Sequence, residues 1–77
     1  NLKMTKFTLI IWVCSFLAGS PTCLPPIKVE KVYNSWYECS RGAYKESTLI
    51  LSKLGYKYVN DNQISTKYGC QELPPTI

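Results

Sequence analysis

A chain of 77 residues with four cysteines, no histidine and a formal charge of +4 has room for one small domain. It buries too little apolar surface to fold comfortably without covalent staples or a partner. The absence of histidine removes the commonest general base near neutral pH and the commonest zinc ligand, which disfavours acid-base and zinc enzymes from the outset.

The amino end reads as a targeting segment. Lys3 and Lys6 form a basic start, Phe7 to Leu17 is a mostly apolar run, and Ala18-Gly19-Ser20 offers small residues to a peptidase, which is the pattern of a secretory signal peptide over residues 1–20. Pro21 ends the run well short of the roughly 20 apolar residues that a membrane-spanning helix needs, so no stable membrane anchor is expected. Translation is expected to start at Met4, the only methionine. Residues 21–26, with Pro21, Pro25 and Pro26, form a proline-rich linker, and residues 27–77 the domain. A cut near Ser20 leaves seven basic residues against five acidic ones, a net of +2, too mild to mark nucleic-acid binding alone.

The cut would also remove Cys14 and leave Cys23, Cys39 and Cys70, an odd number for an oxidising compartment. Spacing does not fix which two pair. Cys39 with Cys70 is preferred, because that bridge encloses the predicted core and closes a loop of about 32 residues, for roughly 4 kcal/mol in the chain-entropy picture. Cys23 sits among prolines in a segment expected to be extended and mobile. Metal binding is disfavoured, since no Cys-x-x-Cys spacing exists and secreted thiols oxidise; no cofactor is implied.

Ile27 to Lys31 alternates apolar and charged side chains, the period of a half-buried strand. Asn34-Ser35 reads as a turn or bulge, and Trp36-Tyr37 as renewed β structure up to Cys39. Gly42 punctuates. From Ala43-Tyr44 to Leu54 the period lengthens: Ser47, Ile50, Leu51 and Leu54 recur at three- and four-residue intervals, predicting one short amphipathic helix. Glu46 and Lys53 suit its dipole, and Gly55 its left-handed cap. Tyr56 to Val59 reads as the next strand, Asn60-Asp61-Asn62 as a turn, and the remainder as loop or short strand around Ile64 up to Pro74-Pro75. The expected fold class is therefore α+β, one short helix packed on a small antiparallel sheet, clamped by a disulfide.

A family resemblance rests on particular residues. Tyr37-Glu38-Cys39 after a signal-like segment resembles the aromatic-x-Cys signature of secreted powdery-mildew effector candidates. The order Tyr37-Glu38-Cys39, Tyr44, helix, Gly55-Tyr56 is similar to the amino half of the extracellular guanyl-specific fungal ribonucleases, whose fold many of those effectors share. Ser65 to Glu72 can be laid without gaps on that family's Pro-His-Lys-Tyr-Asn-Asn-Tyr-Glu strand: Lys67, Tyr68 and Glu72 match, and Thr66 takes the place of the first histidine. The resemblance implies a helix against an antiparallel sheet, Glu72 at the position of the catalytic carboxylate, and Tyr37, Tyr56, Lys67 and Tyr68 as candidate contacts to RNA or a host protein. It also implies secretion, with delivery into host cells, and an incomplete chain, since the strands carrying the family's arginine and second histidine would follow Ile77.

Chemistry opposes turnover even on that ancestry. RNA transesterification needs a general base, a general acid and cationic stabilisation of the phosphorane. Glu72 could be the base, but the second acid-base group tuned near neutral pH is missing. The expectation is a noncatalytic, effector-like interaction protein on a ribonuclease-like scaffold. A small secreted cysteine-stabilised peptide of another origin, such as a toxin, inhibitor or salivary component, and a truncated product without function are the competing expectations. For Trp36, Tyr37, Tyr56 and Tyr58 the plain alternative to base stacking is strand or core packing. For Lys53, Lys57 and Lys67 it is a solvated surface.

Overall fold

The computed structural model describes residues 5–74; Lys3, Pro75 and Met4, the expected start, lie outside them. The element order is β1 (Phe7–Ser15), β2 (Thr22–Cys23), β3 (Ile27–Tyr33), α1 (Trp36–Leu54), α2 (Tyr56–Asn62) and β4 (Ile64–Glu72). The α+β class holds, with two helices rather than one over a four-stranded antiparallel sheet.

The sheet is built around the segment that reads as a leader. Residues 7–15 are rich in β-branched and aromatic side chains, which suit a pleated strand buried on both faces. β4 pairs with β1 along its whole length, from Phe7 opposite Glu72 to Ser15 opposite Ile64. The other edge of β1 is shared: β3 pairs with Phe7 to Ile11, and β2 with Cys14 and Ser15. In the structure the apolar run is a strand paired along both edges, and residues 7–23 share one sheet with the residues that follow. Removing β1 would leave β2, β3 and β4 without their common strand neighbour.

Leu9, Ile11 and Val13 point to one face of the sheet, and Ile10, Trp12 and Cys14 to the other. Leu9 and Ile11 are fully buried and form the core with Tyr33, Cys39 and Ala43. Burial of side chains of that size contributes about 1.5–3 kcal/mol each. α1 closes this face through Cys39, Ala43 and Ile50. The register places Thr66, Tyr68 and Cys70 on the helix side, where Thr66 Oγ1 donates to Ser47 Oγ at 2.8 Å and the Tyr68 and Ser40 hydroxyls lie 3.0 Å apart.

α1 begins at Trp36, so the expected β character of Trp36-Tyr37 is overturned. Ser35 is the cap: its Oγ accepts from the Glu38 N–H at 3.0 Å, while the Glu38 carboxylate accepts from the Asn34 N–H at 3.1 Å. This Ser-x-x-Glu arrangement is close to a capping box and satisfies amide groups that the first turn leaves free. Gly42 is therefore inside the helix rather than a break before it.

Gly55 joins the two helices at φ 92°, ψ 158°, a positive-φ conformation distinct from the expected left-handed helical cap, with its N–H donating to Leu51 O at 3.0 Å. Tyr56 to Val59 is helical rather than a strand. α1 ends near the edge of the sheet where β4 starts, with Leu54, Tyr58, Ser15 and Ile64 lining one cavity. Lys57 and Asp61 pair across one turn at 2.7 Å, and Gln63 takes the left-handed conformation at the end.

Two disulfides staple the fold. Cys39 and Cys70 join the start of α1 to β4 across 31 positions of sequence. Cys14 joins Cys23, its register partner on β2. The mobile linker with a spare thiol expected around Cys23 is thus replaced by a bridged strand.

Candidate functional site

The chain reverses at Asn34-Ser35, so the end of β3 and the first turns of α1 run side by side and leave a groove of about 640 Å³ between them. From β3 and the turn come Lys31, Tyr33 and Asn34; from α1 come Tyr37, Glu38, Arg41, Gly42 and Lys45. Tyr37, Arg41 and Lys45 stand at four-residue intervals and Glu38 and Gly42 beside them, so a single side of the helix supplies them all.

The groove is basic. Lys31, Arg41 and Lys45 line it with one carboxylate, Glu38, one of whose oxygens accepts from the Asn34 amide, and a second carboxylate, Glu46, acts on the floor. The cations also lie near aromatic rings: Lys31 Nζ is 5.2 Å from the centroid of Tyr33, and the Arg41 guanidinium is 5.7 Å from that of Tyr37. Such contacts position a cation without neutralising it. Tyr37 is two-thirds exposed at the rim, whereas Tyr33 is buried in the floor. Burial raises the Tyr33 hydroxyl above its ordinary pKa, and the negative charge of Glu46 adds to the effect. This phenol is protonated at neutral pH, so it can donate a hydrogen bond there but cannot act as a base.

The floor has its shape because residue 42 has no side chain. A β carbon at Gly42 would lie 2.6 Å from the Tyr33 hydroxyl and from Cε1 of its ring. Glycine lets the buried phenol lie directly against the helix.

The residues singled out in the sequence do not converge. Tyr37 belongs to this groove. Tyr56 is 85% exposed at the start of α2, beside a shallow hollow lined by Leu51 and Val59. Lys67 lies on the sheet face opposite the helices, with its Nζ 5.2 Å from the Trp12 ring centroid. Its neighbour Tyr68 points the other way, bonded to Ser40 and edge-on to Tyr44 at 5.6 Å between centroids. Glu72 ends β4 opposite Phe7, an exposed position across β1 from the groove. Lys67, Tyr68 and Glu72, adjacent in the strand resemblance, therefore do not share one surface. Thr66, in the first-histidine position, is tied to Ser47.

Lys31, Arg41 and Lys45 were not legible as a group, since a helix starting at Ala43 separates Arg41 from Lys45. The available signal was Ser35-x-x-Glu38, which starts the helix early enough to align Tyr37, Arg41 and Lys45. Among the described residues no cluster of acidic residues and cysteines is arranged to hold a metal ion, and all four cysteines are in disulfides. Likewise, no helix there is long and apolar enough to cross a membrane. No family model, curated protein or solved structure matches the chain.

Proposed function

We propose that this is an extracellular, effector-like interaction protein that acts by binding without turnover, and that the β3–α1 groove receives the phosphodiester backbone of single-stranded RNA. The observation that carries this reading is the convergence of Lys31, Arg41 and Lys45 on one groove with an exposed tyrosine, Tyr37, at its rim. Cations following a backbone, with an aromatic face beside them, are the recurring chemistry of single-strand binding. Two disulfides support an oxidising compartment.

The groups at hand support the reading of binding without hydrolysis. The sequence contains no histidine, the groove's buried phenol is protonated at neutral pH, and Glu72 lies across the sheet from the three cations. The test is fluorescence anisotropy with a labelled single-stranded RNA, followed by recovery of the RNA. Saturable, salt-sensitive binding with intact RNA is expected, weakened by Arg41→Ala. Absence of binding at low salt would refute the RNA partner, and cleavage abolished by Glu72→Ala would refute the noncatalytic reading.

A further inference from the structure

The sheet has two outer edges, and they are built differently. Along one, β2 and β3 are interrupted by Leu24-Pro25-Pro26, and β3 carries Lys28, Glu30 and Lys31. Its pairing with β1 slips at Glu30-Lys31, where Thr8 faces Val32 but Leu9 faces Val29. Prolines, charges and bulges are the devices by which natural sheets prevent pairing at an edge. β4 has few of them: its nine residues keep unbroken register with β1 and include no proline. Lys67 is drawn over the Trp12 ring on the open face.

Hydrogen-bond alternation shows what this edge presents. Phe16 N–H donates to Gln63 O at 3.0 Å, and Leu73 N–H donates to Lys6 O at 2.8 Å. These bonds continue the β1–β4 ladder at both ends and assign the odd-numbered residues of β4 to bonding with β1. In an antiparallel pair the intervening residues direct their backbone groups to the other side. The N–H and C=O groups of Ile64, Thr66, Tyr68, Cys70 and Glu72 therefore point outward, and among the described residues β1 is the only strand paired with β4. α1 meets β4 through side chains on its face, Ser47 with Thr66 and Ser40 with Tyr68.

We infer that this edge is a self-association surface, through which two copies join β4 to β4 antiparallel about a two-fold axis. An alternating row of free backbone donors and acceptors is complemented by an extended chain, and a second copy supplies the same row in an isologous contact. Charge selects this edge for a copy of the same basic chain. β4 carries only Lys67 and Glu72, which balance, whereas Lys31, Arg41 and Lys45 lie on the β3 side. Joining at β4 places the two basic grooves at the far ends of the combined sheet, where solvent and salt screen their repulsion. Joining at β3 would bring them together. The inference does not rest on the RNA reading, since it uses the opposite edge and needs no ligand.

The test is analytical ultracentrifugation of the disulfide-intact full chain over a concentration series, with residue-resolved amide exchange at each concentration. Dimer should form as concentration rises, and the Thr66, Tyr68 and Cys70 amides should change from fast to slow exchange with it. Lys67 and Gly69, bonded to β1, should be slow throughout. Thr66→Pro removes one outward N–H without removing a β1 bond and should weaken dimerisation at least about tenfold, the equivalent of roughly 1.4 kcal/mol. A chain that is monomeric up to about 1 mM, with those three amides fast, overturns the inference. So does a dimer in which they remain fast. The exchange pattern decides the matter even if the proline variant does not fold.

Discussion

Tyr33 lies against Gly42, its ring and hydroxyl occupying the space that a β carbon on the helix would need. The contact fixes how closely β3 approaches α1 and sets the floor of the basic groove. An alanine would normally favour the helix by about 1 kcal/mol, but overpacking against a buried ring costs about 1–3 kcal/mol. Gly42→Ala is therefore expected to destabilise the protein by about 1 kcal/mol net, and to become stabilising in a Tyr33→Ala background. Urea titrations of the four members of this cycle check the sign reversal.

Tyr33 also predicts an alkaline limb of stability. Its hydroxyl is raised by burial and by Glu46, so the folded state holds that proton more tightly than the unfolded state, whose phenol titrates near its ordinary value. The contribution is fully present below the unfolded pKa of about 10 and is lost as pH rises through the folded value. Stability should fall above about pH 10, and Tyr33→Phe should flatten that fall. Chemical denaturation from pH 8 upward, compared between the two proteins, measures it.

Loss of β1 should abolish the sheet. A chain beginning at Pro21 lacks the strand that β2, β3 and β4 all pair with, and its Cys23 has lost Cys14. Circular dichroism of the truncated and full chains should show a cooperative thermal transition only in the latter. A cooperative melt with β content in the truncated chain would mean that the remaining strands have another way to pair.

The two bridges should differ in weight. Cys39–Cys70 spans 31 positions and Cys14–Cys23 only 9, for about 4 and about 3 kcal/mol in the chain-entropy estimate. The double serine variant at Cys39 and Cys70 should thus lose more stability than that at Cys14 and Cys23, as read from denaturant midpoints. The first is also the covalent tie of α1 to β4, beside the Ser40–Tyr68 and Ser47–Thr66 hydrogen bonds, so its loss should weaken helix signal and β signal together.

If Lys31, Arg41 and Lys45 each meet one phosphate, the logarithm of the RNA affinity should fall against the logarithm of salt with a slope of about −2. Arg41→Glu should lower affinity and flatten that slope, whereas Lys67→Glu, on the other face of the sheet, should do neither. Anisotropy titrations at several salt concentrations distinguish these outcomes.

The α+β class, the strand at Ile27–Lys31 and the helical stripe through Ile50 and Leu54 were legible in the sequence, because each rests on a local repeat. Cys39 was readable as an anchor, and its preferred partner, Cys70, is the one to which it is bridged in the structure. The helix start was also present locally, in Ser35-x-x-Glu38, but the aromatic pair Trp36-Tyr37 has high strand propensity and obscured it. Tyr56 to Val59 misled in the same way, since its aromatic and β-branched residues favour a strand locally, whereas the structure makes it the start of α2.

Composition and local periodicity alone determined that this chain needs staples, contains no histidine for acid-base chemistry and places a helix over strands. Tertiary structure decided how residues 7–15 sit in the sheet, because an apolar run has the same composition whether or not neighbouring strands pair with it. Only pairing partners distant in sequence, Glu72 for Phe7 and Cys23 for Cys14, make it the middle of a sheet. The basic groove had the same origin, since Lys31 meets Arg41 and Lys45 only where a strand and a helix are turned back on each other at Asn34-Ser35.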